Sequence, residues 1–174
     1  MNDGLMYLVA KDMQPVSVVN DEGFIEYSKR LNPSYRLPSR KTLSSWIGQK
    51  TNQVKNDVKE KARNLHKISL TCDMWTSRAT EGYITITAHG IGDDFQLVDI
   101  VLDTVRMHVS HTGDNQADVV MKVLDEWCLK GKVFAVVTDN ASSAVRCVAK
   151  LIRKGYAEIH VRCSAHTLQL CGND

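Results

Sequence analysis

Three apolar, β-branched runs follow one another after residue 67, with only short connections between them. The runs are residues 68–72, 83–88 and 95–102, and Gly92-Asp93-Asp94 supplies a turn before the third. Parallel neighbours need long crossovers, whereas short connections join antiparallel strands. The sequence therefore predicts an antiparallel three-stranded meander, with the third strand continuing to about Met107.

The rest of the chain alternates between helix and strand patterns. Apolar residues recur every three or four positions at 117–128 and again at 144–152, whereas residues 133–138 and 158–163 are short apolar runs. Another helix is predicted from Ala165 to Cys171. The order β-β-β-α-β-α-β-α predicts an α/β protein with an RNase H-like core. In that arrangement a mixed sheet holds the first and fourth strands side by side at its centre.

Each of these two central strands leads into a single carboxylate. The strings are Ser69-Leu-Thr-Cys-Asp73-Met-Trp75 and Val136-Val-Thr-Asp139-Asn140. The topology predicts that Asp73 and Asp139 meet at the ends of adjacent strands. Carboxylates are the hard oxygen ligands that Mg²⁺ prefers, and two such metal ions can promote phosphodiester chemistry. An aspartate after a strand is also a common turn former, so either residue alone would be weak evidence.

Residues 1–66 are predicted to be helical. Val16 to Leu31 carries an apolar stripe that Asn32-Pro33 ends, and Pro38-Ser39 is typical of the start of a second, long helix. This long helix lies in a basic segment, residues 36–67, which holds nine Lys or Arg and two acidic residues. The segment carries 9 − 2 = +7, whereas the whole chain carries +2.

Such a charge excess is typical of a nucleic-acid interface, and a solvated helix face is the alternative interpretation. The residues predicted to contact DNA are Arg40, Lys41, Lys50, Lys55, Lys59, Lys61 and Arg63.

The cysteines do not form a disulfide pattern. There are five, at irregular spacing, and no secretory signal precedes them, so reduced thiols in the cytosol or nucleus are expected. Cys163-x-x-His166 could be half of a zinc site, but no second pair of ligands is evident, and structural zinc is not expected. The sequence contains no run of eighteen apolar residues, so no membrane span is predicted.

Three strings together resemble the hAT superfamily of DNA transposases and its domesticated BED-zinc-finger relatives. They are Leu70-Thr-Cys-Asp73-Met-Trp75-Thr-Ser77, Val137-Thr-Asp139-Asn140-Ala-Ser142 and Arg162-Cys163-Ser-Ala-His166-Thr-Leu-Gln-Leu170. Upstream, Leu31-Asn-Pro33-Ser-Tyr35 and Leu37-Pro38-Ser39-Arg40 resemble the helical region before the catalytic core. The resemblance covers nearly the whole chain, in the family's order.

This resemblance implies roles for particular residues. Asp73 and Asp139 match the first and second acidic ligands of Mg²⁺ or Mn²⁺, and Cys163 with His166 matches an element beside the active site. Residues 1–66 would be a pre-core region for DNA contact and self-association, and residues 67–174 the first part of the transposase core. The implied protein is nuclear and binds DNA, and its ancestral activity is metal-dependent DNA strand cleavage and transfer.

The chain departs from the family pattern in ways that affect activity. The family's third acid, a glutamate, follows a large helical insertion that is absent here, as are the BED zinc finger and the dimerisation region. We therefore expect this chain alone to be inactive, to oligomerise only through regions it lacks, and to have no small-molecule substrate.

Two other functions remain open. One is a non-catalytic module acting in transcription regulation or protein interaction. The other is a nuclease acting on RNA–DNA hybrids, which would need a third acid from Asp99, Asp103 or Asp118.

Overall fold

The computed structural model describes residues 1–171, and the chain divides into two compact units, Met1–Asp57 and Val58–Asp174. The first unit is helical, as the sequence predicts. Its elements are α1 (Asn2–Lys11), a 3-10 turn (Val16–Asn20), α2 (Glu22–Leu31) and the first part of α3 (Arg40–Asn64). None of the helices in the described part of the chain is long and apolar enough to cross a membrane.

One side-chain cap and one change in backbone angles set two of the helix boundaries in this unit. Ser39 Oγ accepts a hydrogen bond from the Thr42 amide at 3.1 Å and so begins α3 at the predicted place. The predicted stripe from Val16 to Leu31 is interrupted, because Asp21 has extended backbone angles (φ −75°, ψ 126°) before α2. A small core of its own holds the unit together: Leu5, Val9, Val18, Val19 and Leu43.

The division between the units lies within α3, whereas the sequence places it after residue 66. Ala62 and Leu65, at and just beyond the end of this helix, are buried in the core of the second unit. The apolar residues at the carboxyl-terminal end of the long basic helix therefore pack into this core.

The second unit contains one mixed five-stranded sheet, with strand order β3-β2-β1-β4-β5. The first three strands are antiparallel, and β4 runs parallel to β1 and to β5. This topology confirms the predicted α/β class, the RNase H-like core and the central position of the first and fourth strands. The bounds are β1 Ile68–Thr76, β2 Gly82–Ile91, β3 Leu97–Arg106, α4 Gly113–Glu126, β4 Val133–Thr138, α5 Ser142–Arg153, β5 Ile159–Arg162 and α6 Ser164–Cys171.

The side chains of β1 point alternately into the core and to the opposite face of the sheet. Leu70 is fully buried, and Cys72 and Met74 pack against the same core. Thr71 and Asp73 point to the other face, because successive side chains of a strand alternate. The core is completed from α4 and α5 by residues that include Val120, Leu124, Val148 and Leu151.

The prediction that Asp73 ends the first strand is wrong. β1 continues through Thr76, because β2 pairs with it along its whole length: Asp73 lies opposite Thr85 and Thr76 opposite Gly82. Asp73 is therefore an exposed residue inside a paired strand, and its backbone is fixed by the neighbouring strand.

Candidate functional site

Asp73 and Asp139 occupy corresponding positions on the two central strands. The parallel ladder ends with the pair Thr71 and Val137. Asp73 lies two residues after Thr71 within β1, and Asp139 lies two residues after Val137, one residue past the end of β4. If side chains continue to alternate beyond this pair, both carboxylates lie on the same face of the sheet. That the two carboxylates meet stays a prediction.

The two carboxylates have different local supports. Asp73 is exposed, whereas Asp139 is half-buried directly after β4. The Ala141 amide donates to Asp139 Oδ1 at 3.1 Å, which orients that carboxylate within the turn leading to α5. Asp73 thus depends on strand pairing for its position and Asp139 on a turn.

An aromatic pair lies next to Asp73 on the same face. The rings of Trp75 and Tyr83 stack with their centroids 4.6 Å apart and their planes 13° from parallel. Trp75 Nε1 donates to Thr85 Oγ1 at 3.1 Å, and Thr85 is the residue paired with Asp73. The first motif's tryptophan, to which the sequence assigns no role, therefore stiffens the strand pair that carries Asp73.

The turn after β4 is tied to α6 through Asn140. Its Nδ2 donates to Thr167 Oγ1 at 3.2 Å, and the Thr167 hydroxyl donates to the Cys163 carbonyl at 3.0 Å. The Cys163 amide in turn donates to the Thr138 carbonyl at 2.8 Å. Asn140 Oδ1 is buried and has no hydrogen-bond partner in the described part of the chain.

These bonds place the Cys-x-x-His element beside Asp139. Cys163 is half-buried at the junction of β5 and α6, and His166 is exposed on α6. Within residues 1–171, no group of three or more His, Cys, Asp or Glu side chains is arranged to hold a metal ion. The roles predicted for Cys163 and His166 stay predictions.

The three aspartates considered as an alternative third acid are each bonded elsewhere. Asp99 Oδ1 lies 2.6 Å from His89 Nδ1, and Asp118 accepts from Lys150 Nζ at 2.7 Å. Asp103 accepts from the amide of the residue after it. None of the three joins Asp73 and Asp139 in a cluster among the described residues, so the geometry gives no support to the RNA–DNA hybrid nuclease.

Two histidine contacts escape sequence reasoning. His89 Nε2 lies 3.0 Å from Thr71 Oγ1, which completes a row from Thr71 through His89 to Asp99 across three strands. His160 Nε2 lies 2.9 Å from Oγ1 of Thr138, the residue immediately before Asp139 in the sequence. Burial, and secondarily the charge of Arg162, lowers the pKa of His160 below 6.5. Both contacts depend on strand register, which a spacing pattern does not reveal.

The predicted DNA-contact residues fall into two groups. Arg40, Lys41, Lys50 and Lys61 are exposed, and Lys55 is half-buried. The other two are engaged within the second unit. Lys59 Nζ lies 3.6 Å from Glu126 and 5.6 Å from the centre of the Trp127 ring, and Arg63 pairs with Glu60 and donates to Cys128 Sγ.

A cleft of about 450 Å³ lies at the far end of β1 from Asp73. Apolar groups, including Ile91, Leu97 and Phe134, dominate its lining, together with His66 and His89. This cleft is therefore separate from the candidate site at Asp73 and Asp139.

An oxygen-rich site of this kind fits a hard divalent cation. The carboxylates of Asp73 and Asp139 and the buried Asn140 amide oxygen, which lacks a partner among the described residues, are the donor types that Mg²⁺ and Mn²⁺ take. Mg²⁺ in particular is commonly bound by one or two carboxylates and completes its shell with water and substrate phosphate.

Comparison with known proteins agrees with this fold. The model of the ZBED1 RNase-like domain matches residues 71–165, which is more than half of the chain. A protein of Zea mays named as an AC transposase is 29% identical over 171 residues, covering 92% of this chain and 21% of that protein. Zinc finger BED domain-containing protein 4 of Homo sapiens is 26% identical, covering 94% of this chain and 14% of that protein.

A third relative, from Talaromyces stipitatus, is named as a transcriptional regulator, tpeD. It is 25% identical over 158 residues, covering 86% of this chain and 19% of that protein. The chain thus spans about a fifth or less of the length of these relatives. Together with the strand order and the matched motifs, these findings show that the chain belongs to the ZBED1 RNase-like domain family and is of hAT-type transposase descent.

Proposed function

We propose that this chain is the DNA-acting core segment of a nuclear hAT-type protein, with Asp73 and Asp139 as ligands of Mg²⁺ or Mn²⁺. The observation that carries the proposal is the register of β1 and β4. It pairs Thr71 with Val137, and two aspartates that are far apart in the sequence each follow two residues after this pair.

The chain's own residues would bind and orient in this reaction. Asp73 is fixed by its pairing with Thr85, and Asp139 by the bond from the Ala141 amide, so neither carboxylate needs large rearrangement to face a scissile phosphate. A bound divalent cation would supply Lewis-acid stabilisation of the charged phosphate. We assign DNA strand cleavage and transfer to the whole protein, because within residues 1–171 no third carboxylate joins Asp73 and Asp139.

DNA binding is proposed to rest mainly on the exposed basic residues. Arg40, Lys41, Lys50 and Lys61 present charge to solvent, where phosphate contact and counterion release are possible. Lys59 and Arg63 are already engaged with protein groups and should contribute less. Cys163 and His166 would border the site, because the Cys163 amide donates a hydrogen bond to the Thr138 carbonyl.

The metal proposal is tested by titrating the purified chain with Mn²⁺ in a calorimeter. Asp73→Asn and Asp139→Asn should each weaken binding about tenfold or more, because each removes a charged ligand. Asp12→Asn makes the same chemical change at an exposed position in the first unit and should leave binding unchanged. Equal binding by all four proteins, or none by the unaltered chain, would refute the metal site.

The DNA proposal is tested by fluorescence anisotropy with a labelled duplex over a range of salt concentrations. Lys50→Gln and Lys61→Gln should each weaken binding and lower the slope of log K against log salt by about 1. Lys122→Gln is the control, because Lys122 is exposed on α4, outside the basic segment. A slope that changes equally in all three variants would indicate general charge rather than an interface.

A non-catalytic role in transcription regulation is the second candidate. The relative named as a transcriptional regulator favours it. In this case Asp73→Asn would change neither DNA binding nor the expression of a reporter gene, while Lys50→Gln would weaken both. Nuclear location is common to both candidates, and microscopy of the tagged full-length protein would test it.

A further inference from the structure

We infer that Asn140 is a further ligand of the cation site at Asp139, and that α6 holds its amide oxygen in place through Thr167. This inference rests on the proposed function. It adds a residue to which neither the fold nor the motifs assign a role. It starts from one buried polar atom, Asn140 Oδ1, that has no hydrogen-bond partner among the residues described.

The orientation of the Asn140 amide is determined by its neighbour. A threonine hydroxyl has one hydrogen to donate, and that of Thr167 goes to the Cys163 carbonyl at 3.0 Å. With its hydrogen on the Cys163 carbonyl, the hydroxyl accepts from the Asn140 NH₂ group, 3.2 Å away. In this hydrogen-bond arrangement a 180° rotation of the amide would bring two acceptors together, so Oδ1 points away from Thr167.

This arrangement leaves a buried carbonyl oxygen, on the residue that follows Asp139, without a hydrogen-bond partner among residues 1–171. Buried acceptors are almost always satisfied, and one that is not usually marks an ion, a water molecule or a functional role. An amide oxygen is a hard donor of the type that joins carboxylates around Mg²⁺ or Mn²⁺. The oxygen belongs to the residue directly after Asp139, in the same turn before α5.

The turn also links the site to α6. Asn140, Thr167 and Cys163 form a continuous chain of bonds, and the Cys163 amide returns to Thr138 on β4. Removal of the Thr167 hydroxyl should therefore free the Asn140 amide to rotate, even though Thr167 contributes no ligand. Thr167 is thus a positioning residue.

Mn²⁺ titration of the full chain tests the inference with two matched pairs of variants. Asn140→Ala should weaken Mn²⁺ binding about tenfold, whereas Asn140→Asp, which keeps an oxygen donor, should retain it. Thr167→Val should weaken binding several-fold, whereas Thr167→Ser should match the unaltered chain. Water proton relaxation should report one additional water molecule on Mn²⁺ bound to Asn140→Ala, which a purely structural role would not produce.

The outcomes separate this inference from the proposed function. If the unaltered chain binds no Mn²⁺, both fail. If Asp139→Asn abolishes binding while Asn140→Ala and Thr167→Val bind normally with unchanged hydration, only the role of Asn140 is refuted. If Asn140→Ala does not fold, Thr167→Val against Thr167→Ser still decides, because neither change touches the proposed ligands.

Discussion

Gly113 lets the amino-terminal turns of α4 and α5 approach each other more closely than any side chain would allow. A Cβ atom added at this position would lie 2.4 Å from the Ser143 carbonyl oxygen and 2.7 Å from Arg146 Cβ. It would also lie 2.9 Å from the Cys147 amide nitrogen. Two of these three neighbours are backbone atoms, so they cannot rotate away. Replacing Gly113 with alanine should therefore force the two helices apart.

The size of the effect follows from two opposing terms. Separating the helices by about 1 Å is a case of overpacking, which typically costs about 1–3 kcal/mol. Alanine is a better helix former than glycine by at most about 1 kcal/mol, and less at the first residue of a helix. We expect Gly113→Ala to be destabilising by about 1–2 kcal/mol. For a chain of this size, that lowers the melting temperature by about 2–8 °C.

Gly48 provides the matched control. It lies inside α3, and a Cβ atom added there would meet nothing within 4 Å, so Gly48→Ala should raise stability by up to about 1 kcal/mol. Thermal unfolding followed by far-ultraviolet circular dichroism compares the two variants with the unaltered chain. Opposite signs support the close α4–α5 contact. A melting temperature of Gly113→Ala equal to or above that of the unaltered chain would refute it.

Three further predictions follow from burial. His160 binds a proton less readily in the folded chain than in the unfolded one, so stability should be full above pH 6.5 and fall as the pH drops through that value. The urea midpoint of unfolding should therefore be lower at pH 5.5 than at pH 7.5, and His160→Gln should reduce this difference. Burial raises the pKa of Cys147 to about 12 and also raises that of Cys72, so iodoacetamide at pH 8 should label exposed Cys128 before either of them, as mass spectrometry would show. Leu70→Ala should lower the free energy of unfolding by about 3 kcal/mol in urea titration, because Leu70 is fully buried.

Most of the fold could be predicted because its signals are local. The β-branched run before Ala88 and the Gly92-Asp93-Asp94 turn identify a hairpin, and the apolar run at residues 133–138 identifies a buried strand. The order of these elements leaves few sheet topologies, and the observed strand order is the expected one.

Other features depend on contacts that no local pattern contains. β1 extends to Thr76 because it pairs with β2 along its whole length. The polar residues Asp73 and Thr76, read from the sequence alone, indicate that the strand ends earlier. The row from Thr71 through His89 to Asp99 forms only when three strands take one register. Likewise, the bond between Asn140 and Thr167 joins residues 27 positions apart and depends on how α6 docks.

The packing of the core and the placement of the candidate site are set by a single register. Along β1, Leu70 and Cys72 enter the core and Asp73 faces away from it, because side chains alternate. A slip of one residue against β4 would bury Asp73 and expose Leu70, at a cost in both hydrophobic burial and carboxylate desolvation. The apolar residues that stabilise the sheet therefore also determine which face carries the carboxylates.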